Sequence, residues 1–255
     1  MTMEKSNNEY IFGIHPVIEA IESGRTVDKL YMKKDLNGEL AVRLQHLAKE
    51  HGIPVHRVPL ERLNRFTRKN HQGVVALISA IDYTDLSVLV PTLFEDGILP
   101  FILVLDGITD VRNFGAMART AECCGVNAIV IPRQGSVTVG ADAVKTSAGA
   151  LNHLPVCREA SLARAVGFLK QSGYQIVCVT EKGSVNYTTG DYTTPVALVM
   201  GAEDVGISPE ILKLADTSAS IPMFGRIGSL NVGVAAGIMM YEVVRQRLAD
   251  NLEVL

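Results

Sequence analysis

The stretch FILVLDGITDVRNFGAMART, residues 101–120, decides the fold. It begins with a short apolar run that ends in an acid, which is typical of a strand buried on both faces of a parallel sheet. A loop with glycine and polar residues follows, and NFGAMARTAECCG predicts a helix after it. A strand, a loop and a helix in this order form the repeating unit of an α/β domain.

The same unit recurs from residue 101 toward the C-terminus. Further apolar runs predict strands at NAIVIP, YQIVCVT, VALVM and SASIPM. Helices are predicted between and after them at GADAVKTSAGALNH, SLARAVGFLKQSG, SPEILKLAD and LNVGVAAGIMMYEVVRQRLAD. The alternation predicts an α/β domain in which helices cover a parallel sheet.

A smaller α/β unit precedes this domain, in residues 11–79. Its predicted helices are HPVIEAIESG, NGELAVRLQHLAKEHG and LERLNRFTR, and its predicted strands are KLYMKK, VHRVP and GVVALISA. Between residues 81 and 99 the pattern weakens to one short helix bounded by Asp, Pro and Gly, which favours a linker. We therefore predict a small domain at 1–80, a linker at 81–99 and a larger domain at 100–255.

Composition and charge are those of an ordinary globular protein. Of the 255 residues, 47% are hydrophobic and 20% are charged, which excludes a disordered chain. The formal net charge of −3 gives no overall sign of a nucleic-acid partner. Any contact with nucleic acid must therefore come from a local patch of positive charge.

One segment has such a local excess. RVPLERLNRFTRK, residues 57–69, carries one acid, Glu61, and five basic residues: Arg57, Arg62, Arg65, Arg68 and Lys69. A solvated helix face is the ordinary explanation for such a run. The polar residues Asn70, His71 and Gln72 follow directly, and Phe66 is placed either to stack on a base or to face the core. The segment is our candidate RNA-binding surface.

The cysteines and the termini bear on the cellular compartment. Cys123, Cys124, Cys157 and Cys178 form no CxxC pair and no metal-ligand spacing with the histidines, which predicts buried thiols in a reducing compartment and no metal site. The N-terminus has no apolar signal segment. The charge-free run 227–241 has 15 residues, fewer than the roughly 20 needed to span a bilayer. We expect a cytoplasmic protein without membrane contact.

Three loops after predicted strands carry more polar residues than folding needs. In the first loop, Asn113 lies where a helix N-cap is expected. Gly115 and Arg119 are four residues apart, so the missing side chain would leave room beside the guanidinium. An arginine there suits a phosphate, although a solvated arginine is an equal alternative.

The other two loops follow VALVM and SASIPM. In GAEDVGIS, Gly201 would let the backbone approach a ligand, whereas Glu203 is more simply a turn residue. Before the last helix, Ser229 is the expected N-cap, which leaves Asn231 in the first turn. Asparagine is a poor helix former, so Asn231 suggests a bound group. The GxGxxG fingerprint of dinucleotide sites is absent from the sequence.

Taken together, RNFGAMART, GAEDVGIS and IPMFGRIGSLNVGVAA closely resemble the three motifs of the SpoU (TrmH-type) RNA ribose 2′-O-methyltransferases of the SPOUT superfamily. FGIHPVIEAI and HQGVVA resemble the small L30e-like substrate-binding domain found in the subgroup that methylates a guanosine in the peptidyl-transferase loop of 23S rRNA. The resemblance covers both predicted domains. The second motif departs from the family pattern at Ala202 and Asp204, which leaves its glycines and Glu203 in place.

This resemblance implies a deep trefoil knot in the C-terminal domain, which local sequence physics does not predict. It implies S-adenosylmethionine as the cofactor, bound in the knot by Gly201, Ile221, Met223 and Leu230. It also implies active-site roles for Asn113, Arg119, Glu203, Ser229 and Asn231. RNA would be held by the L30e-like domain, including His71 and Gln72.

The last helix resembles the family's dimer helix and therefore implies a homodimer through the C-terminal domain. Its apolar stripe consists of Leu230, Val234, Ile238, Tyr241, Val244 and Leu248. The expected partner is 23S rRNA or a ribosome precursor. Two alternatives stay open: an enzyme that methylates another rRNA site or tRNA, and an RNA-binding assembly factor without catalysis.

Overall fold

A computed structural model describes residues 10–68 and 70–250, so Lys69 of the predicted RNA surface lies outside the described residues. The chain divides into two compact units. The first extends to Asp82 and includes Thr138–Ala141, and the second comprises Tyr83–Val137 and the residues from Asp142 onward. Both units are layered α/β structures, which confirms the predicted fold class.

The first unit is built on a four-stranded mixed sheet in the order β1-β4-β2-β3. Its strands are β1 (Tyr10–Phe12), β2 (Val27–Lys33), β3 (Val55–Val58) and β4 (Val74–Ile78). Its helices are α1 (Ile14–Glu22), α2 (Glu39–Glu50) and the short α3 (Leu60–Leu63). Strands β2 and β3 are parallel, and β4 is antiparallel to both β1 and β2.

Two helices cover one face of this sheet. Side chains of α1 and α2, among them Val17, Ile21 and Leu44, pack with Leu30 and Met32 of β2 in one buried cluster. The predicted helix LERLNRFTR is shorter than expected, because only Leu60–Leu63 is helical and residues 64–66 form a turn. The basic segment is therefore mostly irregular chain.

The second unit is built on a seven-stranded parallel sheet in the order β7-β6-β5-β10-β8-β11-β9. Its strands are β5 (Phe101–Asp106), β6 (Ala128–Pro132), β7 (Val156–Glu159), β8 (Gln175–Val179), β9 (Val185–Asn186), β10 (Val196–Gly201) and β11 (Thr217–Ser220). Its helices are α4 (Leu86–Glu95), α5 (Val111–Cys123), α6 (Ala141–Thr146), α7 (Leu162–Gln171), α8 (Pro209–Leu212) and α9 (Val232–Ala249), with a 3-10 turn at Ala150–Asn152.

The five strands predicted for this unit are present. Sequence patterns missed β7 and β9, because VCRE is half polar and VN has two residues. Strand β10 lies between β5 and β8, which precede it in the chain, so the chain returns to the middle of the sheet. The trefoil knot stays a prediction.

Most of the segment predicted to be a linker, from Tyr83 onward, belongs to the second unit. The short helix expected there is α4, whose Leu86, Val90 and Leu93 are buried in the main core of that unit. Their spacing is that of one helix face. Pro91 lies inside this helix and does not end it.

A buried arginine fixes the end of α9 to the sheet. Arg247 donates hydrogen bonds to the carbonyl groups of Leu99 and Pro100, just before β5, and of Thr194, just before β10. Burial lowers the pKa of Arg247 to about 10, so it remains charged at neutral pH. Because the C-terminal end of α9 lies where these strands begin, its N-terminal end lies where they finish.

The cysteines differ from expectation at one position. Cys124, Cys157 and Cys178 are buried, whereas Cys123 is exposed because it lies on the outer face of α5. Within residues 10–68 and 70–250, no helix combines the length and hydropathy that a membrane crossing requires.

Candidate active site

A cavity of about 460 Å³ lies at the carboxyl ends of three neighbouring strands of the second unit. Its lining comes from residues 179–182 after β8, 200–207 at β10, and 221–235 between β11 and α9. Every residue expected to bind the cofactor contributes to it: Gly201, Ile221, Met223 and Leu230. Ligands of parallel sheets bind at this edge, where the ends of strands converge.

One wall of the cavity was missed by the sequence reasoning. The loop after β8 brings Glu181 and Lys182 into the lining. The loop is held close to β11, because a Cβ atom on Gly183 would lie 2.5 Å from the carbonyl carbon of Ala219. A charged pair directly after the apolar run YQIVCVT was the signal that could have found it.

Gly201 is required for a different reason from the one expected. A Cβ atom at this position would lie 2.3 Å from the carbonyl carbon of Gly206 and 2.3 Å from the amide nitrogen of Ile207. The loop folds back on itself here, with a bridge between Ala202 and Gly206. The glycine therefore permits the close approach of the loop's own backbone, which shapes the cavity wall.

A compact hydrogen-bonded cluster joins the three loops in which the sequence placed polar residues. The Glu203 Oε1 atom accepts from Asn231 Nδ2 at 2.7 Å, from the Val232 amide at 3.2 Å and from Asn113 Nδ2 at 3.3 Å. Asn231 Nδ2 also donates to Asn113 Oδ1 at 2.9 Å. One carboxylate oxygen thus connects the start of α5, the loop after β10 and the start of α9.

The two helix caps differ from prediction. Asp110, not Asn113, caps α5 by accepting from the Asn113 amide at 2.8 Å. Asn231, not Ser229, caps α9, and its Oδ1 accepts from Gly233 and Val234. Asp, Ser and Asn are all good caps, so residue type did not identify which one begins each helix.

These caps decide which groups remain available. The Oδ1 atom of Asn231 is used for capping, and its Nδ2 serves Asn113 and Glu203. Asn113 donates one side-chain N–H to Glu203, and its Oδ1 accepts from Asn231. Its second side-chain N–H and one Oδ1 lone pair remain available for a ligand. Ser229 lines the cavity and is exposed, and its hydroxyl makes no hydrogen bond with any residue that the structure describes.

Arg119 does not join this cluster. It is exposed on α5 and, across the described residues, makes no hydrogen bond or ion pair. Gly115 does not clear space for it, because a Cβ atom there would lie 2.2 Å from Thr146 Oγ1. The glycine instead lets α6 pack against α5. The guanidinium of Arg119 is consequently free to meet a ligand.

In the first unit, the four described arginines of the predicted RNA surface are exposed: Arg57, Arg62, Arg65 and Arg68. Arg57 also has a structural role, since its Nη1 donates to the carbonyl groups of Lys33 and Leu36. The other three present their guanidinium groups to solvent.

The structure does not expose the ring of His71 for the predicted RNA contact. Its ring is buried; Nδ1 accepts from the Gly73 amide at 3.0 Å, so Nε2 carries the proton that it shares with Asn64 Oδ1 at 2.9 Å. Gln72 is exposed, with a φ of 49°. Its Oε1 atom accepts from the Ile14 amide and thereby caps α1, whose N-cap residue, Gly13, has no side chain to do so. The ring of His71 stabilises its own loop, and Gln72 keeps its side-chain N–H groups and one Oε1 lone pair for RNA.

Comparison with known proteins gives two family matches that together span both units. Residues 100–241 match the SpoU rRNA Methylase family. Residues 10–84 match the family described as RNA 2′-O ribose methyltransferase substrate binding.

Individual relatives agree. The chain is 36% identical over 240 residues to the putative TrmH family tRNA/rRNA methyltransferase YacO of Bacillus subtilis (strain 168), covering 94% of this chain and 96% of that protein. A crystal structure of an AdoMet-bound rRNA methyltransferase from Sinorhizobium meliloti has 27% identity and a TM-score of 0.58, covering 93% and 87% of the two chains.

A shorter relative is the A. aeolicus TrmH/SpoU tRNA modifying enzyme, with 30% identity and a TM-score of 0.54. It covers 65% of this chain, which in turn covers 86% of it. With a family match over more than half of its residues and a relative 36% identical along nearly its full length, the chain belongs to the SpoU rRNA methylase family.

Proposed function

We propose that this RNA 2′-O-methyltransferase transfers the methyl group of S-adenosylmethionine to the ribose of a guanosine in the peptidyl-transferase loop of 23S rRNA. The observation that carries the proposal is the cluster of Asn113, Glu203 and Asn231 beside the cavity of about 460 Å³. It sets an amide with free hydrogen-bonding capacity next to a space of the size that small cofactors occupy.

The choice of rRNA rests on the first unit. Residues 10–84 match the substrate-binding family, and the relative described as an rRNA methyltransferase is covered to 87% of its length. The relative described as a tRNA modifying enzyme covers only 65% of this chain. An additional RNA-binding unit suits a large folded substrate, where phosphate contacts position the RNA away from the reacting nucleotide.

The cavity fits the proposed cofactor. Met200, Ile207, Ile221 and Leu230 give it apolar walls, while the backbone of the loops and several charged side chains supply polar groups. A nucleoside that carries an amino acid needs both kinds of surface. Gly201, Ile221, Met223 and Leu230 would hold it, and when bound it supplies an electrophilic methyl group on a sulfonium cation.

The chain's own residues supply the contacts to the ribose and to the phosphate. Asn113 is the amide of the cluster that keeps an N–H and an oxygen lone pair for a ribose, and Glu203 and Asn231 position it. Glu203 accepts these bonds through Oε1 and keeps its Oε2 atom as a further acceptor. The free hydroxyl of Ser229 is available to a phosphate or to the cofactor. Holding the reacting oxygen in line contributes several kcal/mol to lowering the barrier.

Arg119 acts in this proposal as a cation rather than as a base. A guanidinium stays protonated in proteins, which makes it a poor general base. Its exposed position without an internal partner suits a target phosphate. We assign it to holding that phosphate and stabilising the developing alkoxide, with the proton leaving to the phosphate or to water.

A homodimer through the second unit is also proposed. Helix α9 buries one face, yet Val234, Tyr241 and Leu248 on the opposite face are 52%, 55% and 61% exposed. Their spacing of seven residues places them in one stripe. Phe224 and Ile227, in the loop before the helix, are also exposed. An apolar surface of this kind marks a protein contact.

The proposal predicts label at one position when the protein is incubated with methyl-labelled S-adenosylmethionine and unmodified 23S rRNA. A 2′-O-methyl group makes the adjacent phosphodiester resist alkali, so the site maps as a single resistant bond. Label that appears only on tRNA would contradict the rRNA assignment. A protein that labels no RNA and does not bind the cofactor would favour the assembly-factor alternative.

Asn231→Asp should inactivate the enzyme in a pH-dependent manner. The substitution keeps an oxygen that can cap α9. Its second oxygen replaces the Nδ2 atom, which lies 2.7 Å from the Glu203 Oε1 atom in the native protein, so that two carboxylates face each other. Repulsion raises the pKa of one carboxyl group. At pH 8 we expect a loss of activity of about tenfold or more, since hydrogen bonds to a charged group are replaced by repulsion.

The ratio of variant to wild-type activity should then rise as the pH falls, because one shared proton restores an O–H···O bond. Asn127→Asp is the matched control, because the only side-chain hydrogen bond of Asn127 to the described part of the chain is the one that its Oδ1 atom accepts from the Phe101 amide. Wild-type activity of Asn231→Asp at pH 8 would show that the cluster does not position the site.

Tyr241→Glu should convert the dimer to a monomer, because it places a charge in the centre of the exposed stripe of α9. Val88→Glu is the matched control, since Val88 is 64% exposed on α4, away from that stripe. Sedimentation equilibrium at assay concentration gives the mass of each. A wild-type monomer with full activity would refute the dimer.

A further inference from the structure

The four-stranded sheet of the first unit has one face without a long helix. Helices α1 and α2 both pack on the other face. This second face carries the short α3 and a small separate cluster in which Val58, Leu63 and Val75 are buried. Around it lie the half-buried aromatic rings of Tyr10, Phe12, Tyr31 and Phe66.

Strand register explains why the rings share this face. Phe12 of β1 pairs with Val75 of β4, Val75 pairs with Tyr31 of β2, and Tyr31 pairs with His56 of β3. Paired residues point to the same side of a sheet, so these four form one row across all four strands. Tyr10 lies two residues from Phe12 and therefore also points to this side.

The rings form a continuous array. Tyr31 lies 4.8 Å from Phe66 and 5.5 Å from His56, measured between ring centroids. Phe66 lies 5.4 Å from Tyr10, which lies 6.3 Å from Phe12. The rings pack against the buried side chains of Leu63, Val58 and Val75, which restricts their movement. A rigid array of partly exposed rings loses little entropy when a flat ligand binds to it.

The same face is positively charged. The Arg62 guanidinium lies 5.9 Å from the centre of the Tyr31 ring. The pKa of His56 is lowered by burial and then by the positive charges of Lys29 and Arg62. Arg65 is exposed in the turn between Leu63 and Phe66, and Glu61 is the acid in the segment that covers the face. Aromatic rings beside basic groups match bases and phosphates together.

We propose that this face, which we call the aromatic face and define by Phe12, Tyr31, His56 and Phe66, binds unpaired bases of the RNA substrate by stacking. The inference rests on RNA being the substrate, as proposed above, and adds that the segment bound here is single-stranded. Base stacking on aromatic side chains needs unstacked bases, which a duplex does not offer. Arg62 and Arg65 would hold the adjacent phosphates.

If RNA bound only through the arginines of the basic segment, its binding would depend on salt and on strandedness in a different way. Phosphate contacts from arginines depend steeply on salt and do not require unpaired bases. Stacking contributes affinity that is largely independent of salt. The two contributions can therefore be separated on the same full-length protein.

The test measures binding of a fluorescein-labelled single-stranded RNA and of the same RNA annealed to its complement, at several salt concentrations. Tyr31→Leu should weaken binding of the single strand about tenfold or more and leave the salt dependence unchanged. Tyr31→Phe, which keeps the ring, should bind as the wild type does. Arg62→Gln should instead reduce the slope of log affinity against log salt by about 0.7.

Tyr187→Leu is the control, because Tyr187 is a half-buried tyrosine in the second unit. The sequence contains no tryptophan, so the fluorescence of a Tyr31→Trp variant comes from position 31 alone. This variant also tests the proposal if Tyr31→Leu fails to fold. Stacked bases should quench its fluorescence when the single strand is added.

Four results would overturn the proposal for the aromatic face. Three concern binding: equal affinity of Tyr31→Leu and wild type for the single strand, no quenching in Tyr31→Trp, or equal affinity of the wild type for single strand and duplex. The fourth is a change of oligomeric state in Tyr31→Leu, which would assign the face to a second copy of the chain. Each leaves the proposed function standing if the wild type still methylates rRNA. A wild type that neither binds nor methylates RNA would refute both proposals.

Discussion

One carboxylate oxygen joins the three loops of the candidate active site. The Glu203 Oε1 atom accepts three hydrogen bonds, from the side chains of Asn113 and Asn231 and from the Val232 amide. These groups belong to three loops that are far apart in sequence and meet only at the carboxyl edge of the parallel sheet. Hydrogen bonds to a charged acceptor are about twice as strong as neutral ones, so the loops are fixed relative to one another before any ligand binds.

The rest of the second unit supports this contact. Strands β5 and β10 are adjacent and parallel, which brings the loop after β10 beside the start of α5. Arg247 ties the other end of α9 to the residues that precede the same two strands. Helix α9 is thus held at both ends, and its N-terminal cap, Asn231, is delivered to Glu203. The sheet, the buried arginine and the cap place one asparagine amide beside the cavity.

Much of this architecture could be predicted from sequence, because short apolar runs such as FILVLD and VALVM have few alternatives to a buried parallel strand. Residues with several possible roles could not. Asp110 and Asn113 were equally good caps for α5, as were Ser229 and Asn231 for α9, and only the path of the backbone decides between them. Because Asp110 caps α5, the side chain of Asn113 keeps hydrogen-bonding capacity for a ligand.

Tertiary contacts account for features that the sequence did not predict. The ring of His71 is buried, and two neighbours satisfy both of its nitrogens. Gly201 lines the cavity as expected, and it also lets the loop's own backbone approach closely. The charged pair after β8 became part of the cavity only because Gly183 lets that loop approach β11. Such close approaches depend on residues distant in sequence, which no local pattern records.

The most direct test of the central claim is calorimetric titration of S-adenosylmethionine into Glu203→Ala, with Glu210→Ala as a control, because Glu210 is an exposed acid outside the cavity lining. If Glu203 fixes the three loops, affinity for the cofactor should fall about tenfold or more in Glu203→Ala and stay unchanged in Glu210→Ala. Unchanged affinity in a folded Glu203→Ala protein would contradict the account, because the cavity would then form without the cluster.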